Sequence, residues 1–351
     1  MVNVLIADDS MLTRTVIKDL LARDLNITVV GEVSDGQEAV RATRRLRPDL
    51  IIMDVMMPVM DGLAATVEIM ASCPTPILIL SANVDSQDSR SAFNAIKHGA
   101  LDVMEKPQGV VTEAFEEIAA QLIQKVKFLA RVRVIHHFRR PRQKMPAAPP
   151  ADHRRRILAI GASTGGPKAV MRLMKELPRE TGAKVLIVQH IARGFAAGFA
   201  EWLDRESPLS VRLAREGDLL EEGVALVAPN GVHMEVQDGR IVLSDAAPVN
   251  SCRPSVDVLF HSLARSDLSV RAVAVLFTGM GRDGAEGMAA LRRSGGYNIA
   301  QDEASSAVFG MPRAAIDLGG VHETLALVDI PPAVVRLMQK EPKDRHDRIG
   351  I

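Results

Sequence analysis

Short apolar runs alternate with helix-like stretches in two separate series along this chain, and in both series several runs end in chemically active polar residues. The first series is Val4 to Ala7, Val29 to Val33, Leu50 to Met53, Ile77 to Leu80 and Asp102 to Met104. The second contains Ile157 to Ile160, Lys184 to Val188, Val224 to Val227 and Val273 to Phe277. Continuous runs of Val, Ile, Leu and Ala are the pattern of strands buried on both faces, and helical spacers between them call for parallel crossovers. The fold class expected is α/β, with two doubly wound parallel-sheet domains. A chain of 351 residues agrees, since single cores stop growing at roughly 250–300 residues.

Between the series lies a punctuated segment. An amphipathic helical pattern from about Thr112 to Ile135 is followed by Arg139, Arg140, Arg142, Lys144, Arg154, Arg155 and Arg156 among Pro141, Pro146, Pro149 and Pro150. Proline stops the helix, and the composition is that of a solvated tether. The expected organisation is a first domain over 1–125, a helical and basic linker over 126–156, a second domain over 157–340, and a charged tail over 341–351. Within the second domain, Asp238 and Gly239 separate two alternating segments over His233 to Leu243, a hairpin signal.

Charge excludes some classes. Lysine plus arginine and aspartate plus glutamate each number 43, so the whole molecule has no net electrostatic drive toward nucleic acid or an anionic membrane. No apolar stretch is long enough to span a bilayer and the N-terminus has no secretory pattern, so a cytoplasmic location is expected. Cys73 and Cys252 lie outside metal-ligand spacing and read as ordinary thiols of a reducing compartment.

In an open parallel sheet, ligands bind at the carboxyl ends of strands. The first series ends there in Asp8 and Asp9, in Asp54, in Ser81, and in Lys106 before Pro107. Crowded carboxylates repel unless a hard cation neutralises them, and carboxylates plus water suit Mg²⁺. Asp8, Asp9 and Asp54 are the expected metal ligands. Asp54 would then attack a phosphoryl donor, and Ser81 and Lys106 would bind the phosphate oxygens. The stretch Met53-Asp-Val-Met-Met-Pro-Val-Met-Asp-Gly62 with Lys106-Pro107 resembles response-regulator receiver domains over 1 to about 125. That resemblance implies a flavodoxin-like fold, phosphorylation of Asp54 and a histidine kinase as phosphodonor. One departure is Val103 where receivers commonly carry an aromatic switch residue, which puts switching by that aromatic in doubt.

The second series carries a nucleophile pattern. Gly161-Ala-Ser-Thr-Gly-Gly166 follows a strand and precedes Pro167 at a helix start, matching a Gly-x-Ser-x-Gly elbow. The next strand delivers Gln189 and His190, and Val273 to Phe277 runs into Thr278-Gly-Met-Gly-Arg-Asp-Gly284. Ser163 as nucleophile, His190 as base and Asp283 as its orienting acid form a coherent set. Their order along the chain differs from that of α/β-hydrolases, so that superfamily is disfavoured.

Together with Gly194-Phe-Ala-Ala-Gly-Phe-Ala200, Ala228-Pro-Asn-Gly-Val-His-Met234 and Arg253-Pro-Ser-Val-Asp-Val-Leu-Phe260, these motifs resemble the catalytic domain of chemotaxis-type protein-glutamate methylesterases, the CheB family. The resemblance implies a Rossmann-like esterase domain with a β-hairpin, no cofactor for ester hydrolysis, and glutamine deamidation as a second activity. It implies an oxyanion hole from the Met280 N–H and the Thr164 side chain, methyl-accepting chemoreceptors as substrate, and control by phosphorylation of the first domain. Ala192 and Arg193 depart from the family's usual Pro-Pro after the histidine, so the substrate loop is expected to be tuned differently. Arg253 reads as structural, and His233 and Met234 as packing residues. A monomer is expected. A transcription factor is disfavoured because no compact basic helix-turn-helix appears; a catalytically weak receptor-binding scaffold is the remaining alternative.

Overall fold

In the computed structural model, residues 1–81, 86–107, 113–132 and 155–338 are described, without side-chain detail at 86–89, 113, 114 and 117. Most of the expected basic tether, and the charged tail, lie outside the described residues.

The first half runs β1 (Val2–Ala7), α1 (Met11–Leu21), β2 (Ile27–Val33), α2 (Gly36–Leu46), β3 (Leu50–Asp54), α3 (Gly62–Ser72), β4 (Ile77–Ser81), α4 (Ser86–Lys97), β5 (Asp102–Glu105) and α5 (Glu113–Leu129). Its five strands pair in parallel in the order β2-β1-β3-β4-β5, the flavodoxin-like arrangement. The apolar residues of β1, β3 and β4 are buried on both faces under helices, which is why these strands read as unbroken hydrophobic runs. Ser10, Asp35 and Asp61 start α1, α2 and α3 as N-caps, each accepting a backbone N–H one turn on. The register pairs Ala7 with Met53 and Asp54 with Leu80, so the residues following β1, β3, β4 and β5 emerge at one edge.

The second half runs β6 (Ile157–Ala162), α6 (Gly166–Glu176), β7 (Lys184–Gln189), α7 (Phe195–Glu206), β8 (Ser210–Leu213), β9 (Val224–Val227), β10 (His233–Gln237), β11 (Arg240–Ser244), α8 (Val256–Arg265), β12 (Ala272–Leu276), α9 (Ala285–Arg293), β13 (Tyr297–Gln301), α10 (Met311–Asp317), β14 (Glu323–Leu325) and α11 (Ile330–Leu337). Seven strands form a parallel sheet in the order β14-β13-β12-β6-β7-β9-β8. The central strand β6 has β7 on one side and β12 on the other, so the crevice where the winding reverses opens beyond these three strands. The antiparallel hairpin β10–β11 turns at Asp238 and Gly239, both with positive φ, as a two-residue turn of this composition requires.

Three strands of this sheet escape the hydrophobic pattern. β8 and β14 are short edge strands, and β13 holds Asn298 and Gln301 fully inside. Both are tied to the surrounding backbone: Asn298 Nδ2 donates to the carbonyls of Met288 and Gly320, and Gln301 Oε1 accepts the Thr278 N–H. Polar residues in these positions break the apolar run while tying β13 to its neighbours.

The two halves meet through α4 and α7. Phe93 stacks on Trp202 with centroids 5.5 Å apart, contacts Phe199 at 5.7 Å and meets Phe195 edge-on at 6.4 Å. Lys97 Nζ donates to Glu206 Oε1 at 2.5 Å at the rim. No helix among the described residues is long and apolar enough to cross a membrane.

Candidate functional site

Two groups of polar side chains gather at strand ends, one in each half. In the first, Asp8, Asp54, Ser81 and Lys106 are buried and Asp9 is exposed at the mouth. The Lys106 ammonium donates to Asp8 Oδ2 at 2.7 Å and to Asp54 Oδ2 at 2.8 Å, while its backbone N–H bonds the Ser81 carbonyl at 2.9 Å. Arg14 holds the Asp8 and Asp9 carbonyls, fixing the turn after β1. Burial pushes the Asp54 carboxyl up to about 6, with Lys106 pulling it partly back and Asp8 adding like-charge repulsion. Burial opposes the Lys106 charge, but its bonds to Asp54 and Asp8 outweigh that and raise its pKa.

One ammonium thus serves two buried carboxylates, with a third at the entrance. Oxygen atoms of Asp8, Asp9 and Asp54 lie within 4.8 Å of one another, a spacing and donor set that fit a hard divalent cation holding several waters. Val103 is buried in the hydrophobic core and presents no aromatic ring at this end of the sheet.

The second group sits in the crevice beyond β6, β7 and β12. Ser163 lies in the turn between β6 and α6, its N–H bonded to the Thr278 carbonyl and its carbonyl held by Gly166 N–H and Gln189 Nε2. A side chain at Gly279 would put its Cβ 2.2 Å from Met311 Sδ and 2.7 Å from Ser163 Cβ, so only glycine lets the two loops close. Thr164 is buried, and its carbonyl accepts the Thr278 hydroxyl. The Met280 N–H makes no hydrogen bond among the described residues.

His190 Nε2 donates to Asp283 Oδ2 at 2.8 Å. A carboxylate only accepts, so the Nε2 proton is fixed and Nδ1 is the nitrogen left free to act as base. Among the described residues the Ser163 hydroxyl makes no hydrogen bond to that nitrogen. Asp283 is buried at the N-terminus of α8, where it accepts the N–H groups of Val256 at 2.7 Å and Asp257 at 3.1 Å, the Ser255 hydroxyl at 2.6 Å and Asn250 Nδ2 at 3.3 Å. Burial works against the charge, but His190, Ser255 and the helix N–H groups hold it low, at about 2. Burial also opposes the imidazolium, and the bonds to Asp283 and then Cys252 more than compensate, so the His190 pKa lies well above an ordinary imidazole's.

Several of these contacts were not expected. Cys252, read from sequence as an ordinary thiol outside metal-ligand spacing, has Sγ 3.7 Å from His190 Nδ1 and 3.4 Å from the Asn250 carbonyl. The loop Asn250–Arg253 folds back under the crevice, and sequence spacing gave no hint of it. His233 does more than pack: Nδ1 accepts the Ser255 N–H at 3.1 Å and Nε2 donates to the Ala247 carbonyl at 3.1 Å. Arg253 donates to the carbonyls of Asp245 and Ala246, which holds the same loop. Ser255, the N-cap of α8, was detectable in principle as Ser before an apolar helical run, although nothing in that signal says which anion the helix end receives.

Comparison with known proteins follows the same division. The CheB methylesterase family matches residues 158–334 and the response regulator receiver domain family residues 4–116. Among curated relatives, protein-glutamate methylesterase/protein-glutamine glutaminase 2 of Anaeromyxobacter dehalogenans is 45% identical over 96% of this chain and 97% of its own. Protein 3 of that name from the same organism is 45% identical over 93% and 96%, and protein 4 from Geobacter metallireducens is 43% identical over 97% and 100%.

Proposed function

Because this chain belongs to the CheB methylesterase family and carries a response regulator receiver domain ahead of the esterase, we propose that it is a phosphorylation-controlled hydrolase of glutamyl methyl esters and of glutamine side-chain amides. On this reading residues 1–125 are the receiver, 126–156 the linker, 157–340 the catalytic domain and 341–351 a charged tail. The substrates are methyl-accepting chemoreceptors and the phosphodonor is a histidine kinase. The observation that carries the reading is the His190–Asp283 pair, buttressed by a helix N-terminus and set in the crevice beside the Ser163 turn.

The chemistry follows from which atoms are free. Ser163 Oγ attacks the ester carbonyl as His190 Nδ1 takes its proton, while the other ring proton stays on Nε2, hydrogen-bonded to Asp283. The imidazolium formed is stabilised by Asp283, which is already ionised and hydrogen-bonded. The Met280 N–H and the Thr164 hydroxyl support the tetrahedral oxyanion, each such donor being worth about 10²–10³ in rate. His190 returns its proton to the leaving methanol, or to ammonia from an amide. Water, deprotonated by the same nitrogen, then releases the glutamate from Ser163.

In the receiver, Asp8, Asp9 and Asp54 would hold Mg²⁺, which supplies charge neutralisation for phosphoryl transfer. Asp54 accepts the phosphoryl group, and Lys106 and Ser81 bind its oxygens. Coupling runs through α4, whose Phe93 and Lys97 engage α7, the helix that follows the His190 loop. With the receiver docked there, access to the crevice is restricted; phosphorylation loosens the contact. The Trp202 indole N–H has no hydrogen-bond partner among the described residues, a cost that separation of the two surfaces would relieve.

The test is methanol release from methylated receptor membranes by wild type and Ser163→Ala. Turnover that survives in Ser163→Ala contradicts the assignment; loss by about 10⁴-fold or more supports it.

A further inference from the structure

The thiol beside the catalytic histidine gives the crevice a second chemistry. Cys252 Sγ and His190 Nδ1 are 3.7 Å apart. Zinc bonds of ~2.3 Å to sulfur and ~2.0 Å to nitrogen at a tetrahedral angle separate the two donors by about 3.5 Å. The donor pair is therefore within about 0.2 Å of the edge of a zinc tetrahedron. On the far side of the ring, Asp283 accepts the Nε2 proton at 2.8 Å, which is the outer arrangement that orients metal-bound histidines and raises their basicity. Asp283 is itself held by Ser255, Val256 and Asp257. Both ligands are partly exposed, so an ion and its waters can enter from solvent.

We propose that Cys252 and His190 form a binding site for a thiophilic divalent cation such as Zn²⁺, and that an ion held there switches the esterase off. Binding places the Cys252 thiol proton in solvent and commits the Nδ1 lone pair to the metal. That lone pair is the one that must take the Ser163 proton, so ligation and catalysis exclude each other. The inhibitory half rests on the esterase reading above; the site itself does not. Selectivity separates this site from the receiver pocket, because three carboxylates favour a hard ion while sulfur and imidazole favour a soft one.

The test uses full-length protein and two readouts. Addition of Co²⁺ gives a thiolate-to-cobalt charge-transfer band in wild type and in Cys73→Ser, and none in Cys252→Ser or Cys252→Ala; Zn²⁺ bleaches it. Methanol release, read as the ratio with and without Zn²⁺, falls at least tenfold in wild type at Zn²⁺ concentrations that bleach the band, recovers with chelator, and falls much less in both Cys252 variants. No band in wild type, or a band that persists without Cys252, overturns the site. A band without loss of turnover, or equal loss in wild type and variants, overturns the switch. A protein that shows the band yet lacks Ser163-dependent turnover in any condition would sink the esterase reading and leave the metal site standing.

Discussion

The receiver pocket and the esterase crevice both stand at the carboxyl ends of parallel strands, yet their charges are balanced in opposite ways. In the receiver, Asp8 and Asp54 share a single lysine and Asp9 waits at the mouth, so burial leaves Asp54 resisting its own charge. In the esterase, Asp283 is supplied with donors from Ser255, Asn250, the α8 N-terminus and His190, and it is held ionised. One pocket is left incomplete and invites a cation and a phosphoryl group; the other is complete as built. A sensor needs the first kind of balance and a catalyst the second, since preorganised charge is what lowers a barrier.

The comparison is most sharply broken at Asp283. Asp283→Asn keeps the shape but lets the imidazole take the wrong tautomer, and turnover is expected to fall by about 10⁴-fold; a fall of less than tenfold in methanol release would mean that the helix-held carboxylate is not needed. Chelation separates the regions next. With EDTA, the response to a small-molecule phosphodonor should vanish while basal, Ser163-dependent turnover remains; loss of both would place a required metal in the esterase itself.

The contact between the halves gives a smaller effect. Phe93→Ala empties the stack on Trp202, and basal methanol release should rise severalfold, a tenfold rise needing only about 1.4 kcal/mol of coupling. Unchanged or lower basal rates, with the fold intact by circular dichroism, would remove α4 from the control path. The smallest effect is in the pH profile. The His190 pKa is raised, so the neutral base appears only as pH rises past the ordinary imidazole value, and kcat/KM in the presence of chelator should climb on an alkaline limb. Cys252 contributes to that rise, so Cys252→Ala should move the limb to lower pH; an inflection at or below about 6.5 in wild type would contradict the ion pair.

Much of this was legible in the residues, for an identifiable reason. Strands buried on both faces announce themselves as apolar runs, and the residue after each run falls at the ligand-binding edge. Asp8, Asp54, Lys106, Ser163 and His190 could be found that way. Asp283 was placed by its loop rather than by its partners: the helix N-terminus that charges it comes from a segment that precedes it in sequence and approaches from outside the sheet. The place of Cys252 beside His190 was missed for the same reason, because the loop from Val249 to Ser255 acquires its meaning only once folded against His190 and Asp283. β13 was missed because its buried Asn298 and Gln301 look like surface residues until their partners are known.

Control of one half by the other is the central claim, and initial rates of methanol release from methylated receptor membranes test it most directly. Full-length wild type and Asp54→Asn are each measured with and without a small-molecule phosphodonor and Mg²⁺. A rate that rises with phosphodonor in wild type and stays at the basal level in Asp54→Asn is the predicted result. A wild-type rate indifferent to phosphodonor, or an equal rise in Asp54→Asn, would contradict it.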